Sequence, residues 1–199
     1  FLDGFARMGA KVSNRAGMYH LTTADGQLHG AEIFFRQQAV TATETFMLAG
    51  VLARERTVLK NCALEPEITS LGTCLVRYGA KISGLGTTTL VIEGGSLLTP
   101  KNPTYEIIPD RIEAGSFLIL GALLARELII TDCEPEHLEA IISCLQSAGA
   151  KIEIGKKQVI IRATPRQSYR GLNITTHEYP GFPTDLQALM SVFLTQARG

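Results

Sequence analysis

Hydrophobic residues follow two different spacings along the chain, and these spacings predict an alternation of helices and strands. Apolar side chains recur every three to four positions in residues 68–78 and 138–148, which is the period of a helix with one buried face. Longer apolar stretches at residues 40–53 and 111–125 also predict helices. Short segments rich in β-forming residues predict strands at 31–35, 57–61, 81–83, 88–93, 105–108, 128–131, 151–154 and 158–162.

The tripeptide Gly-Ala-Lys closes three apolar segments at intervals of 70 residues. It begins at Gly9, Gly79 and Gly149. Each glycine stands where the end of a helix favours a positive φ, and each lysine opens a strand. The repeat predicts an α/β (α+β) fold of β-α-β-α-β-β units, with about two complete units and a partial unit at each end. Pro66 and Pro135 are expected in the first turns of two of the helices.

Composition narrows the possible functions. The chain has 19 basic and 19 acidic residues and no net charge, so we expect neither a nucleic-acid partner nor a membrane partner. No apolar run approaches the roughly 20 residues that cross a bilayer. The cysteines lie in apolar segments without the spacing of metal ligands, so we expect reduced core residues of a cytosolic protein and no metal site: Cys62, Cys74, Cys133 and Cys144.

Three motifs carry a resemblance to a known family. They are the stretch Tyr-Pro-Gly-Phe-Pro-Thr-Asp-Leu-Gln-Ala at 179–188, Glu-Pro-Glu-Ile at 65–68, and Pro-Asp-Arg-Ile-Glu-Ala-Gly at 109–115. With the repeated unit, they resemble the UDP-N-acetylglucosamine enolpyruvyl transferases over essentially the whole chain, in the middle of that family's sequence. The resemblance implies six such units in two domains. Pro100, Asn102 and Pro103 form a candidate hinge, so residues 1–103 would end the first domain and residues 104–199 would begin the second.

The resemblance also implies an activity. A member of this family transfers the enolpyruvyl group of phosphoenolpyruvate to the 3-hydroxyl of UDP-N-acetylglucosamine and releases phosphate, without a cofactor, as the first committed step of peptidoglycan precursor synthesis in the cytoplasm. Asp185 matches the carboxylate that would hydrogen-bond the 3-hydroxyl and accept its proton, and Thr184 lies beside it. The alternative from the residues alone is that Thr184 or Asp185 is the N-cap of the helix that follows.

The turn at residues 36–43 falls where the family contacts the uridine and diphosphate. Four of its residues are candidate substrate contacts: Arg36, Gln37, Ala39 and Val40. Gln37 lacks a charge that would attract a diphosphate, and Ala39 lacks a hydroxyl donor. Either Arg36 replaces the missing cation, or the affinity for the nucleotide is weakened.

Other charged residues that match the family are expected to have structural roles, mainly at helix starts: Glu65, Glu67, Asp110, Arg111 and Glu113. His177 is expected to be solvated. The loop that carries the family's proton donor, a Cys or an Asp, and most of the residues that clamp phosphoenolpyruvate are expected outside residues 1–199. The isolated chain is therefore expected to be inactive.

Three alternatives to this function remain open. One is a non-catalytic paralogue that binds a nucleotide sugar, and another is the related enolpyruvyl transferase of the shikimate pathway. The motif at residues 179–185 argues against the shikimate enzyme. The third is an RNA cyclase of kindred fold, against which the neutral charge and the absence of a basic stripe argue.

Overall fold

The computed structural model describes residues 1–99, 104–162, 164–165 and 168–199. The chain divides into two compact units, residues 1–107 and residues 108–199. The predicted hinge residues Pro100, Asn102 and Pro103 lie outside the described residues. Within the described ranges, no helix is long and apolar enough to span a membrane.

Within its described residues, 1–99 and 104–107, the first unit contains three α-helices and six strands. They are α1 (Leu2–Arg7), β1 (Lys11–Arg15), β2 (Met18–Thr22), β3 (Glu32–Phe34), α2 (Val40–Leu52), β4 (Arg56–Lys60), α3 (Pro66–Arg77), β5 (Lys81–Ser83) and β6 (Thr89–Glu93). Strands β1 and β2 form an antiparallel hairpin. The other four form a sheet of order β3-β4-β6-β5, in which β3 and β4 are parallel and the remaining pairs are antiparallel.

The core of the first unit follows from the alternation in its central strands. Leu59 of β4, and Leu90 and Ile92 of β6, are buried. Successive side chains of a strand point to opposite faces, so one face of the sheet is apolar. Phe46 and Met47 of α2 are buried in the same cluster, which places this helix against that face.

The described part of the second unit contains three α-helices and three strands. They are α4 (Arg111–Leu124), β7 (Glu127–Thr131), α5 (Glu139–Ala148), β8 (Lys151–Ile154), β9 (Gln158–Arg162) and α6 (Gln187–Leu194). The strands form an antiparallel sheet of order β7-β9-β8. Its core joins Leu118 and Ile119 of α4, Leu145 of α5 and Ile161 of β9 to Phe193 of α6.

The predicted repeat is confirmed at the glycines. Gly9, Gly79 and Gly149 have φ values of 87°, 107° and 105°, which side chains with a Cβ rarely adopt. Pro66 begins α3, as predicted. Pro135 instead begins a 3-10 turn, Pro135–Leu138, which precedes α5.

The strand predicted at residues 105–108 is wrong. No strand is assigned at these positions. The Tyr105 hydroxyl lies 3.0 Å from Ser70 Oγ and donates to the Ser70 carbonyl at 2.9 Å, so this segment packs on α3. A strand needs a neighbouring strand for its backbone hydrogen bonds, and the local preference of Tyr and Ile for strands does not supply one.

The four cysteines are free thiols, as predicted. Cys62 and Cys133 are buried, whereas Cys74 and Cys144 are partly exposed. Burial raises the pKa of the Cys62 thiol to about 11 and also raises the pKa of Cys133 and Cys144. Since the thiolate is the reactive form, the raised pKa makes these three thiols poor nucleophiles at neutral pH.

Candidate functional site

Two buried residues fix the position of Asp185 in the second unit. Phe182 and Leu186 belong to the core, with exposed fractions of 5% and 1%. Thr184 and Asp185 lie between them and are exposed. These residues form a 3-10 turn, Thr184–Leu186, directly before α6. A carboxylate is therefore presented to solvent from a firmly anchored turn.

The residues before this turn are folded tightly by backbone contacts. The His177 N–H donates to the Phe182 carbonyl at 3.0 Å, and the Gly181 N–H donates to the Glu178 carbonyl at 2.7 Å. A Cβ at Gly181 would come within 2.5 Å of His177 Cβ, so only glycine fits this close approach. The Arg111 guanidinium lies over the Tyr179 ring, 5.5 Å from its centroid, and so ties the start of α4 to the same motif.

The N-cap alternative for Thr184 and Asp185 is wrong. Leu186 is the N-cap of α6 and Pro183 precedes the 3-10 turn, and neither helix start has a side-chain cap. Among the residues that the structure describes, the Asp185 carboxylate has no recorded hydrogen bond or ion pair. The carboxylate is thus not engaged in holding its own helix.

Asp110, in contrast, has the structural role that the sequence predicts. Its carboxylate accepts hydrogen bonds from the N–H groups of Ile112 at 2.7 Å and Glu113 at 3.1 Å, and so caps α4. Glu113 is exposed in the first turn, where a negative charge is favoured by the helix dipole.

Helix α2 is the counterpart of α4 in the first unit, but no side chain caps its start. Its N-cap residue is Ala39. Arg36, Gln37 and Ala39 are exposed, and Val40 is partly exposed. The N–H groups of residues 40–42 have no recorded acceptor within the described ranges. Free N–H groups at the positive end of a helix form a site that attracts anions, and Arg36 adds a positive charge to it.

Hydrogen bonds that sequence reasoning missed join this helix start to the loop after β4. The Thr43 hydroxyl donates to the Ala39 carbonyl at 2.9 Å and accepts from the Ala63 N–H at 3.1 Å. The Asn61 side-chain amide donates to the Phe35 carbonyl at 2.9 Å. The sequence did contain a sign of these bonds, because Thr43 lies in an otherwise apolar helix pattern. A threonine there is expected to be buried, and a buried hydroxyl usually has a hydrogen-bond partner.

Glu65 is a second residue whose environment the sequence did not reveal. It precedes α3, yet it makes no side-chain cap, and only 9% of it is exposed. Its Oε2 atom is buried without a hydrogen-bond partner among the residues described. Burying a carboxylate without a partner costs free energy, so Glu65 differs from the exposed side chains that usually stand before a helix.

His177 and Glu178 lie at the surface beside the motif, with His177 Nδ1 3.6 Å from a Glu178 carboxylate oxygen. The Glu178 backbone N–H and His177 lower the pKa of the Glu178 carboxyl. His177 is exposed, as predicted. In the described part of the chain, no three His, Cys, Asp or Glu side chains are grouped as metal ligands would be.

Comparison with known proteins gives the family. The family model for EPSP synthase (3-phosphoshikimate 1-carboxyvinyltransferase) matches residues 1–199. A UDP-N-acetylglucosamine 1-carboxyvinyltransferase of Solibacter usitatus is 44% identical over 197 residues, which are 98% of this chain and 46% of the relative. One of Bdellovibrio bacteriovorus is 42% identical over 198 residues, covering 100% of this chain and 46% of the relative. The chain thus spans about half the length of the curated relatives it matches.

Solved structures give the fold. The enolpyruvyl transferase NikO from Streptomyces tendae superposes with a TM-score of 0.83 at 24% identity, over 100% of this chain and 49% of that chain. An EPSP synthase from Acinetobacter baumannii gives a TM-score of 0.56 at 19% identity, over 98% of this chain and 44% of that chain. Since the family model matches residues 1–199, the chain belongs to the EPSP synthase family of enolpyruvyl transferases.

Proposed function

We propose that the whole protein containing residues 1–199 transfers the enolpyruvyl group of phosphoenolpyruvate to the 3-hydroxyl of UDP-N-acetylglucosamine. This reaction releases phosphate and is the first committed step of peptidoglycan precursor synthesis in the cytoplasm. The observation that carries the proposal is the exposed Asp185 carboxylate, which is anchored by Phe182 and Leu186 but engaged by no described partner. The names of the 44% and 42% identical relatives support this choice of substrate.

Asp185 is proposed as the general base. The sugar hydroxyl loses its proton to the carboxylate as its oxygen bonds to C2 of phosphoenolpyruvate, while the methylene carbon of phosphoenolpyruvate gains a proton from a second group. The tetrahedral adduct then expels phosphate and loses a proton from its methyl group, which restores the double bond. A base must reach the proton that it removes, and a solvent-facing carboxylate on an anchored turn meets this requirement. Thr184, which is exposed next to it, is proposed to contact the same sugar.

The open start of α2 is proposed to bind the diphosphate of the nucleotide. The free N–H groups of residues 40–42 donate to phosphate oxygens, and the Arg36 guanidinium supplies the nearby charge. Gln37 donates through its amide, Ala39 contributes its backbone, and Val40 contacts the uridine. Asp110 closes the corresponding helix start in the second unit, so the second unit has no open site of this kind at α4.

Phosphate release tests this proposal. The whole protein is incubated with phosphoenolpyruvate alone, with added UDP-N-acetylglucosamine, and with added shikimate 3-phosphate. We expect phosphate release only with the nucleotide sugar. Release with shikimate 3-phosphate would assign the protein instead to the reaction that names the family model.

A second candidate is a non-catalytic paralogue that binds a nucleotide sugar. The absence of a charge at Gln37 and of a hydroxyl at Ala39 favours it, because charged and hydroxyl donors at these positions would bind a diphosphate more strongly. Calorimetric titration with UDP-N-acetylglucosamine separates the candidates when it is combined with the phosphate assay. Binding without phosphate release supports the paralogue, and release supports the enzyme.

A further inference from the structure

A small cavity in the second unit borders the motif that carries Asp185. Its walls are the start of α4, the 3-10 turn Pro135–Leu138 with the first residues of α5, and part of the motif itself. The motif residues that line it are Tyr179, Pro180, Gly181, Pro183 and Leu186. The cavity has a volume of about 10 Å³, which is close to the space that one water molecule needs.

His137 is the residue of this wall whose hydrogen bonding is incomplete. Its side chain lines the cavity, and its Nδ1 atom is buried without a hydrogen-bond partner among the described residues. A buried polar atom that lacks a partner costs about 1–3 kcal/mol, and a bound water commonly removes this cost. The cavity is also lined by Arg111, Glu136 and Glu139, so its walls are polar, unlike those of cavities that stay dry.

The motif side of the cavity offers hydrogen-bond acceptors but few donors. Pro180 and Pro183 have no N–H group. The Gly181 N–H already donates to the Glu178 carbonyl at 2.7 Å. The carbonyl groups of Pro180 and Gly181 have no recorded donor within the described ranges. A water can donate to a carbonyl and can either donate to Nδ1 or accept from it, so it joins the two sides whichever tautomer His137 adopts.

We propose that His137 is a positioning residue for Asp185. Its Nδ1 atom holds one water in the cavity, and this water donates to the carbonyl of Pro180 or Gly181. The residues before the turn Thr184–Leu186 are thereby held against the start of α5, and the Asp185 carboxylate keeps one orientation toward the sugar hydroxyl. This inference rests on the proposed function for the role of Asp185 as the base.

The kinetic test compares three substitutions of His137 in the whole protein. The amide of His137→Asn lies near the position of Nδ1, the amide of His137→Gln lies nearer to that of Nε2, and His137→Leu has no polar group. We expect His137→Asn to keep kcat for phosphate release within about threefold of wild type. His137→Gln and His137→Leu should lower kcat on the order of tenfold or more, because a catalytic group that is displaced loses rate steeply.

The Michaelis constant and a matched histidine separate this role from others. KM for UDP-N-acetylglucosamine should change by less than about threefold in the three variants, since the orientation of the base acts on the chemical step. His20→Leu is the control, because His20 is an exposed residue of β2, and it should leave kcat and KM unchanged.

Crystal structures of the whole protein test the water independently of activity. In the wild type we expect an ordered water about 2.7–3.2 Å from His137 Nδ1 and from the carbonyl oxygen of Pro180 or Gly181. In His137→Leu this water should be lost and residues 179–183 should shift. A wild-type cavity without this water overturns the inference, and so does a His137→Leu structure in which residues 179–183 keep their position.

The kinetic results can overturn the inference as well. Wild-type kcat in His137→Leu does so, and so does a rise in KM with unchanged kcat. If His137→Leu does not fold, equal kcat values for His137→Asn and His137→Gln contradict a role of Nδ1, whereas a lower value for His137→Gln supports it. A wild-type protein that releases no phosphate refutes the proposed function, while the crystal structures still decide whether His137 positions the motif.

Discussion

The Thr43 hydroxyl and the Ala63 N–H form a hydrogen bond of 3.1 Å that joins the first turn of α2 to the loop after β4. Both residues are buried, with exposed fractions of 0% and 2%. The same hydroxyl donates to the Ala39 carbonyl at the N-cap of the helix. One side chain therefore fixes both loops at the edge of the sheet where we propose that the diphosphate binds.

Replacement of Thr43 by Val should destabilise the chain. Valine has nearly the same shape, so the change removes the hydroxyl and leaves the buried Ala63 N–H without an acceptor, at a cost of about 1–3 kcal/mol. Urea unfolding followed by circular dichroism measures this difference. Thr41→Val is the matched control, since Thr41 is exposed in the same helix turn and should change the unfolding free energy by less than about 0.5 kcal/mol. Equal effects of the two variants would contradict the role of Thr43.

Asp110 and Asp185 both stand at helix starts but should respond differently to truncation. Asp110→Ala removes a carboxylate that accepts two N–H groups, so we expect a loss of about 1 kcal/mol in the free energy of unfolding. Asp185→Ala removes a carboxylate that caps nothing, so its effect should stay within about 0.5 kcal/mol. Chemical unfolding of the two variants measures the contrast. A loss from Asp185→Ala as large as that from Asp110→Ala would restore the cap role for Asp185.

Periodicity and turn chemistry were sufficient to predict most elements. The bounds of β5, β8 and β9 agree with those predicted from alternation, because strand pairs joined by short turns depend on local sequence. The strand prediction for residues 105–108 failed because the conformation of this segment depends on the contact between Tyr105 and Ser70, 35 residues away. The same limit applies to Glu65. Its sequence position resembles a helix start, but its burial is set by packing that no local pattern encodes.

Gly181 should be required for the shape of the motif around Asp185. An alanine Cβ would lie 2.5 Å from His177 Cβ and 2.9 Å from the Glu178 carbonyl oxygen, so the backbone has to shift. We expect Gly181→Ala to cost about 1–3 kcal/mol in thermal or urea unfolding, the usual range for overpacking. Gly95→Ala is a suitable control, since a Cβ there meets nothing within 4 Å. An unchanged stability of Gly181→Ala would show that the turn can open without cost.

Glu153 should make stability depend on pH. The hydrogen bond and the positive charge of Arg162 lower the pKa of the Glu153 carboxyl in the folded chain. A group with a lowered folded-state pKa stabilises the fold above its unfolded pKa of about 4.3, and this stabilisation is lost as the pH falls through the folded-state value. Urea midpoints should therefore be lower for Glu153→Gln than for wild type at pH 7, and this difference should shrink as the pH falls below about 4.

The control for this pH dependence is Glu106→Gln. Glu106 is exposed and lies outside the helices and strands, and no ion pair is recorded for it among the described residues. Its substitution should leave the difference between pH 7 and the acid condition as in wild type. A Glu153→Gln variant that follows the wild-type pH profile would show that Arg162 does not hold the carboxylate in solution.

Asp185→Asn provides the sharpest test of the proposed chemistry. The amide keeps the size of the side chain but cannot accept the hydroxyl proton, so kcat for phosphate release by the whole protein should fall by about 10²–10⁴.

Glu178→Gln is the control, because Glu178 is an exposed carboxylate in the same segment and has no proposed part in the reaction. We expect Glu178→Gln to keep kcat within about threefold of wild type. The unfolding free energy of Asp185→Asn should match wild type, since no described contact of the carboxylate is lost. A fall in kcat without a loss of stability would exclude a structural cause, and a rise in KM with unchanged kcat would indicate a binding role instead of a base. Full turnover by Asp185→Asn would require another group to take the proton.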